Sequence, residues 1–371
     1  MHTDLPLEVH GFSYFAPEPT PQLNPSGRLA GWELSVKDLH DVAGMPTSLG
    51  SIHRRYIAET TDPFVAGLLA EGARVIGKSA APELGLRVDT EPVGLPHPDN
   101  PLWPGRTPGG SSGGAAVQVA RGLVHAAHGS DGGGSLRVPA AACGVVAFKP
   151  AGTDLSVQGF ITQSLADAAF LHHLTPFRPR AVVGLLTEPL FAATRVANHM
   201  QRAAREVAAA LRGAGYTVKT IAPYPAAGAT FEAFTALFSS RLGDLPAGSA
   251  YSDFIHDLGR TFSDRDLELA TDHATSLPAR LAEVWGVDAI VTPMLAFDPP
   301  AHGAFTRPDP QTSFNRQTEW TPWGSLFNVA RLPAACIPWP VPGRAEPVGV
   351  QIGSITLDDA HLLGLAQAVH R

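Results

Sequence analysis

Short apolar runs alternating with stretches of helical period predict an α/β chain, with a central sheet covered by helices on both faces. Two further observations support that reading. The composition, 44% apolar and 16% charged, is that of a packed chain rather than a disordered tail or a coiled coil. No internal repeat and no linker divides the 371 residues, so one domain spanning 1–371 is expected.

In chain order, residues 32–36 read as a short strand ending at Lys37. Asp62 before Pro63 is a helix start: the carboxylate accepts an orphan N–H, and proline has no N–H to leave unpaired in the first turn. Val65, Leu68 and Leu69 keep one face apolar until Gly72. Residues 73–76 read as a buried strand, 115–121 as a helix and 124–127 as a strand. Segments 145–148, 181–186 and 216–221 are further strands; between the last two, 194–211 has a strong helical pattern closed by Gly213 and Gly215. Residues 288–291 and 348–352 read as strands, and 357–370 as a final amphipathic helix. Long loops are expected at 85–110 and 298–324, and loops of that length are more often functional than idle.

Charge and cysteine content exclude several classes of function. A net charge of −7 offers no basic field for nucleic acid. Cys143 and Cys336 are too few for a disulfide framework or a four-ligand zinc site, and they read as small core residues. The start has neither a basic nor an apolar leader region, and no apolar run approaches the roughly 18 residues of a membrane span. A cytoplasmic protein with no membrane partner is the expectation.

Of 27 basic residues only four are lysines: Lys37, Lys78, Lys149 and Lys219. Arginine keeps its proton in a protein, whereas a desolvated lysine can lose it, so each lysine needs its own explanation. Lys149 and Lys78 read as structural and Lys219 as solvated. Lys78 lies in Gly72-Ala-Arg-Val-Ile-Gly77-Lys78-Ser79, which fits the P-loop expression, but its middle residues read as the strand itself.

Two glycine–serine runs carry the chemistry: Pro108-Gly-Gly-Ser111-Ser112-Gly-Gly and Gly129-Ser-Asp131-Gly132-Gly133-Gly134-Ser135-Leu-Arg137-Val-Pro139. Successive glycines let backbone N–H groups converge into a nest for negative charge, and a serine closing the nest can attack a carbonyl held there. A single such run is more often a flexible loop; two of them flanking an ordered helix–strand unit weigh against that. Gly110-Ser-Ser112-Gly-Gly also fits a nucleophile elbow, yet no strand precedes it. A serine nucleophile needs a base. The 15 histidines are scattered without metal-ligand spacing, and His125 and His128 read as decorating a strand and its end. Lysine is the remaining candidate.

These runs, continued by Ala-Ala-Ala-Cys-Gly-Val-Val-Ala-Phe-Lys-Pro, resemble the signature block of the amidase signature family of serine amidohydrolases. Leu34-Ser-Val-Lys37-Asp-Leu-His-Asp-Val-Ala-Gly44 is similar to the family's lysine segment. Pro333-Ala-Ala-Cys-Ile-Pro338 and Pro347-Val-Gly-Val-Gln351 resemble its C-terminal strands. The likeness runs from about Gly31 to the end. It implies the amidase signature fold, a mixed sheet with its signature core at about 31–175 and the sheet and substrate pocket completed by 176–371.

The resemblance further implies a Ser–cis-Ser–Lys triad, with Ser135 as nucleophile, Ser111 as bridging serine on a cis peptide and Lys37 as base. Gly132, Gly133 and Gly134, with Ser135, match the oxyanion hole; Ser112 would support the lysine and Asp131 the loop. The implied function is hydrolysis of a small carboxamide to acid and ammonia or amine through an acyl-enzyme, without cofactor or metal. The alternative is a partner-dependent component of an amidotransferase or a catalytically silent member, and a homodimer stays open. The family more often has Thr-Asp-Thr-Gly-Gly-Ser where this chain has Ser130-Asp131-Gly132-Gly133-Gly134-Ser135. Typical members are also longer, with N-terminal helices largely absent here and a shortened segment around Gly159-Phe160. Phe305, Phe314, Trp320 and Trp323 read equally as walls of a pocket or as anchors of a long loop.

Overall fold

The structure, a computed structural model, describes residues 6–243 and 245–370; the first five residues, part of the stretch read for a leader, lie outside it. The strands in chain order are β1 (Phe12–Phe15), β2 (Glu33–Lys37), β3 (Pro46–Thr47), β4 (Tyr56–Ile57), β5 (Arg74–Ser79), β6 (Ala126–Asp131), β7 (Val146–Lys149), β8 (Val157–Thr162), β9 (Val182–Leu185), β10 (Thr217–Thr220), β11 (Ala289–Pro293), β12 (Ala334–Trp339) and β13 (Val348–Ser354). β3 and β4 pair with each other. The other eleven form one sheet in the order β1-β5-β2-β6-β8-β7-β12-β13-β11-β9-β10. β2 runs parallel to both β5 and β6, and β9 parallel to both β10 and β11, while the remaining pairs are antiparallel. The sheet is therefore mixed, and the chain is a single α/β domain.

The helices are α1 (Leu7–His10), α2 (Pro63–Ala70), α3 (Gly113–Ala120), α4 (Arg137–Cys143), α5 (Leu165–Leu171), α6 (Asn198–Gly213), α7 (Ala227–Ser239), α8 (Ala250–Gly259), α9 (Asp264–Trp285), α10 (Pro310–Trp320), α11 (Leu326–Val329) and α12 (Asp359–Gln367). α2 begins as its sequence requires, Asp62 accepting the Phe64 N–H at 2.9 Å ahead of Pro63. Every residue of α4 is buried, which the run of three alanines permits as it packs on β7, β12 and β13. α6 instead buries one stripe, with Met200, Ala203, Ala204, Val207 and Leu211 facing β11 and β13. No helix of the described residues is long and apolar enough to cross a membrane.

Two strands run further than the apolar pattern suggests. β6 continues past Ala127 to Asp131 because its polar side chains find partners inside: His128 Nε2 lies 2.8 Å from Gln158 Oε1 on β8. β5 continues to Ser79 because Lys78 donates to Thr47 Oγ1 at 2.8 Å and pairs with Asp38 at 3.5 Å, so the P-loop expression falls on a sheet strand. The loop expected at 298–324 contains α10, whose Asp309 cap accepts the Thr312 N–H at 3.0 Å. The loop at 85–110 has no regular element beyond a 3-10 turn at its start and is held from within. Asn100 donates to the carbonyls of Thr107 and Ala142 and accepts the Leu102 N–H. Strands β1, β3, β4 and β8 and helices α1, α4, α5, α7, α8, α9 and α11 are additions to the sequence reading.

Candidate active site

Parallel pairing puts the C-terminal ends of β2 and β6 at one edge of the sheet, where open α/β sheets bind ligands. β2 ends at Lys37. β6 ends at Asp131, and residues 132–135 then turn into α4. The other serine run enters α3, and the Ser112 N–H donates to the Ser135 carbonyl at 3.2 Å, which ties the two runs together. The Gly110–Ser111 peptide bond is cis. Irregular chain, not a strand, precedes Ser112, so the elbow expression finds no elbow.

Lys37 is 1% exposed. Its Nζ donates to Ser111 Oγ at 2.8 Å, to Ser130 Oγ at 3.1 Å and to the Ser130 carbonyl at 3.4 Å. Burial pushes its ammonium down to about 7; the negative charge of Asp131 opposes this shift and the positive charge of Arg241 adds to it. Ser112 does not reach the lysine. Its Oγ donates to the Ser130 carbonyl at 3.3 Å, so any support it gives passes through Ser130. Ser130 itself is a contact the sequence reading leaves out, although it stands inside the quoted motif.

Asp131 organises the turn. Its Oδ1 accepts the Gly134 N–H at 2.7 Å, its Oδ2 accepts the Leu136 N–H at 3.1 Å, and Arg137 grips both oxygens at 2.9 Å. Asn328 donates to its Oδ1 at 3.0 Å and to its carbonyl at 2.9 Å. Burial alone would raise this carboxyl, but the charge and hydrogen bonds of Arg137, with Lys149 and Asn328, hold it well below the usual carboxylate range. Gly134 departs from the expected nest: its N–H is spent on Asp131, and its φ of +118° is one that L side chains rarely adopt. Among the described residues no protein acceptor takes the N–H of Gly132, Gly133 or Ser135.

Ser135 opens on a pocket lined by Phe231, Phe234 and Phe238 of α7 and by Tyr251, Phe314 and Gln317. The rings of Phe231 and Phe234 stack at 5.9 Å and those of Phe234 and Phe238 at 5.2 Å. Gly133 matters here, because a Cβ on it would stand 2.9 Å from the Phe234 ring. Of the four aromatics read from the sequence only Phe314 lines the pocket. Phe305, Trp320 and Trp323 are buried in the core, and the indole N–H groups of Trp320 and Trp323 donate to the carbonyls of Phe297 and Glu188.

The other lysines and the cysteines stand apart. Lys149 donates to the Pro150 and Leu332 carbonyls, both at 2.9 Å; Lys219 is exposed; Cys143 and Cys336 are free and buried. His128 is buried within β6, where its Nδ1 accepts the Lys37 backbone N–H at 3.4 Å.

A large mixed sheet with a lysine and two glycine–serine turns at one edge places this chain among α/β enzymes. The family model described as Amidase matches residues 18–176 and 176–363, and the chain belongs to that family. It is 32% identical over 378 residues to the Mycobacterium tuberculosis protein named "Putative amidase AmiB2", covering 92% of this chain and 81% of that one. The solved structure of 6-aminohexanoate cyclic dimer hydrolase superposes with a TM-score of 0.80 at 25% identity over 93% of this chain and 85% of the other. A component of the Thermotoga maritima glutamyl-tRNA(Gln) amidotransferase shares the fold at a TM-score of 0.81 and 23% identity, covering 98% of this chain and 87% of that one. The protein is a hydrolase acting on amides.

Proposed function

We propose that the chain cleaves a small carboxamide through Ser135, Ser111 and Lys37 by way of an acyl-enzyme. The observation that carries this reading is the 2.8 Å contact between a buried Lys37 Nζ and Ser111 Oγ, on a turn bonded to the Ser135 backbone. Neutral Lys37 takes the Ser111 proton as Ser111 takes that of Ser135. The freed Ser135 Oγ bonds to the amide carbon, and the oxyanion is met by the N–H groups of Gly132, Gly133 and Ser135. The same relay returns the proton to the nitrogen, the C–N bond breaks, and ammonia or an amine departs. Water then attacks the acyl ester, gives its proton to the relay, and releases the acid while Ser135 recovers its own. We place this activity in the cytoplasm, in keeping with two cysteines that stay free and buried.

A fluorophosphonate probe followed by peptide mass mapping tests the nucleophile directly, and labelling is expected on Ser135. A hydrolysis screen over aliphatic, aryl and amino-acid amides, with Ser135→Ala as control, tests the activity. Labelling elsewhere, or full activity in Ser135→Ala, would overturn the assignment. A purified chain that turns over no amide until another protein is added would favour the partner-dependent reading.

A further inference from the structure

Two arginines near the active-site turn make no ion pair among the described residues. Half-buried Arg54 and buried Arg87 and Arg137 each pair with a carboxylate at 2.9 Å, namely Glu83, Asp89 and Asp131. Arg241 and Arg331 make no side-chain hydrogen bond or ion pair among the described residues. Arg241 sits in a 3-10 turn after α7, its guanidinium carbon 5.6 Å from the Phe238 ring centroid. Both arginines line an open cleft with Ser156, Ser240 and Asn328, and Asp154 lies there beyond ion-pairing distance. Arg241 faces solvent here, with the more distant charge of Asp154 acting on it, so its guanidinium is open to a ligand of opposite sign.

Gly132 shows where that charge is aimed. A Cβ there would stand 3.3 Å from Arg241 Nη1 and 3.4 Å from Ser156 Oγ, whereas a Cβ on the next residue, Gly133, would meet the Phe234 ring. Successive residues of one turn thus face two compartments, an aromatic pocket and a cationic cleft, with Ser135 two residues on. The influence of Arg241 on Lys37 places the guanidinium within electrostatic reach of the reacting groups.

The geometry points to Arg241 as a specificity-determining residue that anchors a carboxylate of the substrate, so that the amide taken by Ser135 carries an apolar group toward Phe234 and an anionic group toward Arg241 and Ser156. Arg331 adds a second positive charge to the same cleft. This rests on Ser135 being the nucleophile. Planar guanidinium–carboxylate pairing is strong and directional, and lysine reproduces only its charge.

The test uses two matched substrate pairs: an aryl-acid glycine conjugate, with its carboxylate on the amine side, and a dicarboxylic acid monoamide, with its carboxylate on the acyl side. Each is compared with its hydroxymethyl counterpart. Assays run at pH 9, where Lys37 is neutral with or without its cationic neighbour. The wild type should favour the carboxylate in one pair by about tenfold or more in kcat/KM, carried by KM, and that pair identifies the side. Arg241→Gln should erase the preference, Arg241→Lys should retain part of it, and Gly132→Thr should reduce it by filling the space. Absence of preference in both pairs, or an unchanged ratio in Arg241→Gln, would overturn the inference while leaving the nucleophile untouched. Hydrolysis of the hydroxymethyl amides by Ser135→Ala would instead remove the nucleophile assignment on which it stands.

Discussion

Acidification should switch this enzyme off through one buried amine. Burial brings Lys37 from its ordinary 10.5 down to about 7, so about half of it is neutral at pH 7 and the neutral share falls about tenfold per unit below that. At pH 5 about 1% remains, which predicts a loss of about 100-fold in kcat/KM if this amine is the base. The assay is kcat/KM for an uncharged amide from pH 5 to 9, so that the substrate does not titrate. Arg241→Gln should move the midpoint upward, because a like charge that disfavours the ammonium is gone. Lys149 is also pushed to about 7 by burial, but it is hydrogen-bonded to two backbone carbonyls, so Lys149→Met should leave the midpoint in place. Lys37→Met should lower the rate by about 10²–10⁴, the usual worth of a general base. A flat profile from pH 5 to 9, or an unchanged one in Lys37→Met, would refute the reasoning.

Three further outcomes follow from the same groups. Asp131→Ala strands the fully buried Arg137 guanidinium and should cost about 3–5 kcal/mol in urea unfolding, together with the activity. Ser112→Ala should keep activity within about tenfold of the wild type, since the hydrogen bond its hydroxyl makes is to the Ser130 carbonyl, while Ser135→Ala should lose it; abolition by Ser112→Ala would restore the elbow reading. Lys37→Met should be more stable than the wild type at pH 7, with the gap narrowing as pH rises. Between about 7 and 10.5 the unfolded lysine binds a proton that the folded one has shed, so wild-type stability climbs across that window and the methionine variant does not share the climb; parallel urea curves at pH 7 and 9.5 would contradict this.

What could be read from the sequence divides along a physical line. Residues fixed by backbone chemistry were legible: Asp62 before Pro63 at a helix start, and a strand ending at Lys37. The same Asp-Pro signal stands at 309–310 and heads α10, yet it lies in a stretch of weak periodicity and low hydropathy, where the pattern reads as loop. Strands β6 and β5 outran their apolar runs because His128 and Lys78 find polar partners that only the folded sheet supplies. The aromatic wall shows the limit most clearly. Phe231, Phe234 and Phe238 sit about 100 positions from Ser135, and no local period says which face of α7 will look onto the 132–135 turn. The roles of Ser130 and Asn328 are of the same kind, for each depends on a long-range contact.

Why Lys37 should be the base, when three of the four lysines are buried, comes down to what each amine faces. Lys78 has Asp38 at 3.5 Å, and a carboxylate beside an ammonium favours the charged form. The Lys149 amine faces backbone carbonyls, which only accept; a neutral amine there would present a lone pair to oxygen lone pairs, so its partners reward protonation. The short contacts of Lys37, at 2.8 and 3.1 Å, are hydroxyls. A hydroxyl accepts from an ammonium and, by rotating its proton, donates to an amine, so both protonation states of Lys37 are hydrogen-bonded without any heavy atom moving. A group that must take and return a proton in every turnover needs such partners; Lys78 also has one, the Thr47 hydroxyl at 2.8 Å, but with Asp38 beside it, whereas Lys37 has two hydroxyls and no ion-paired carboxylate.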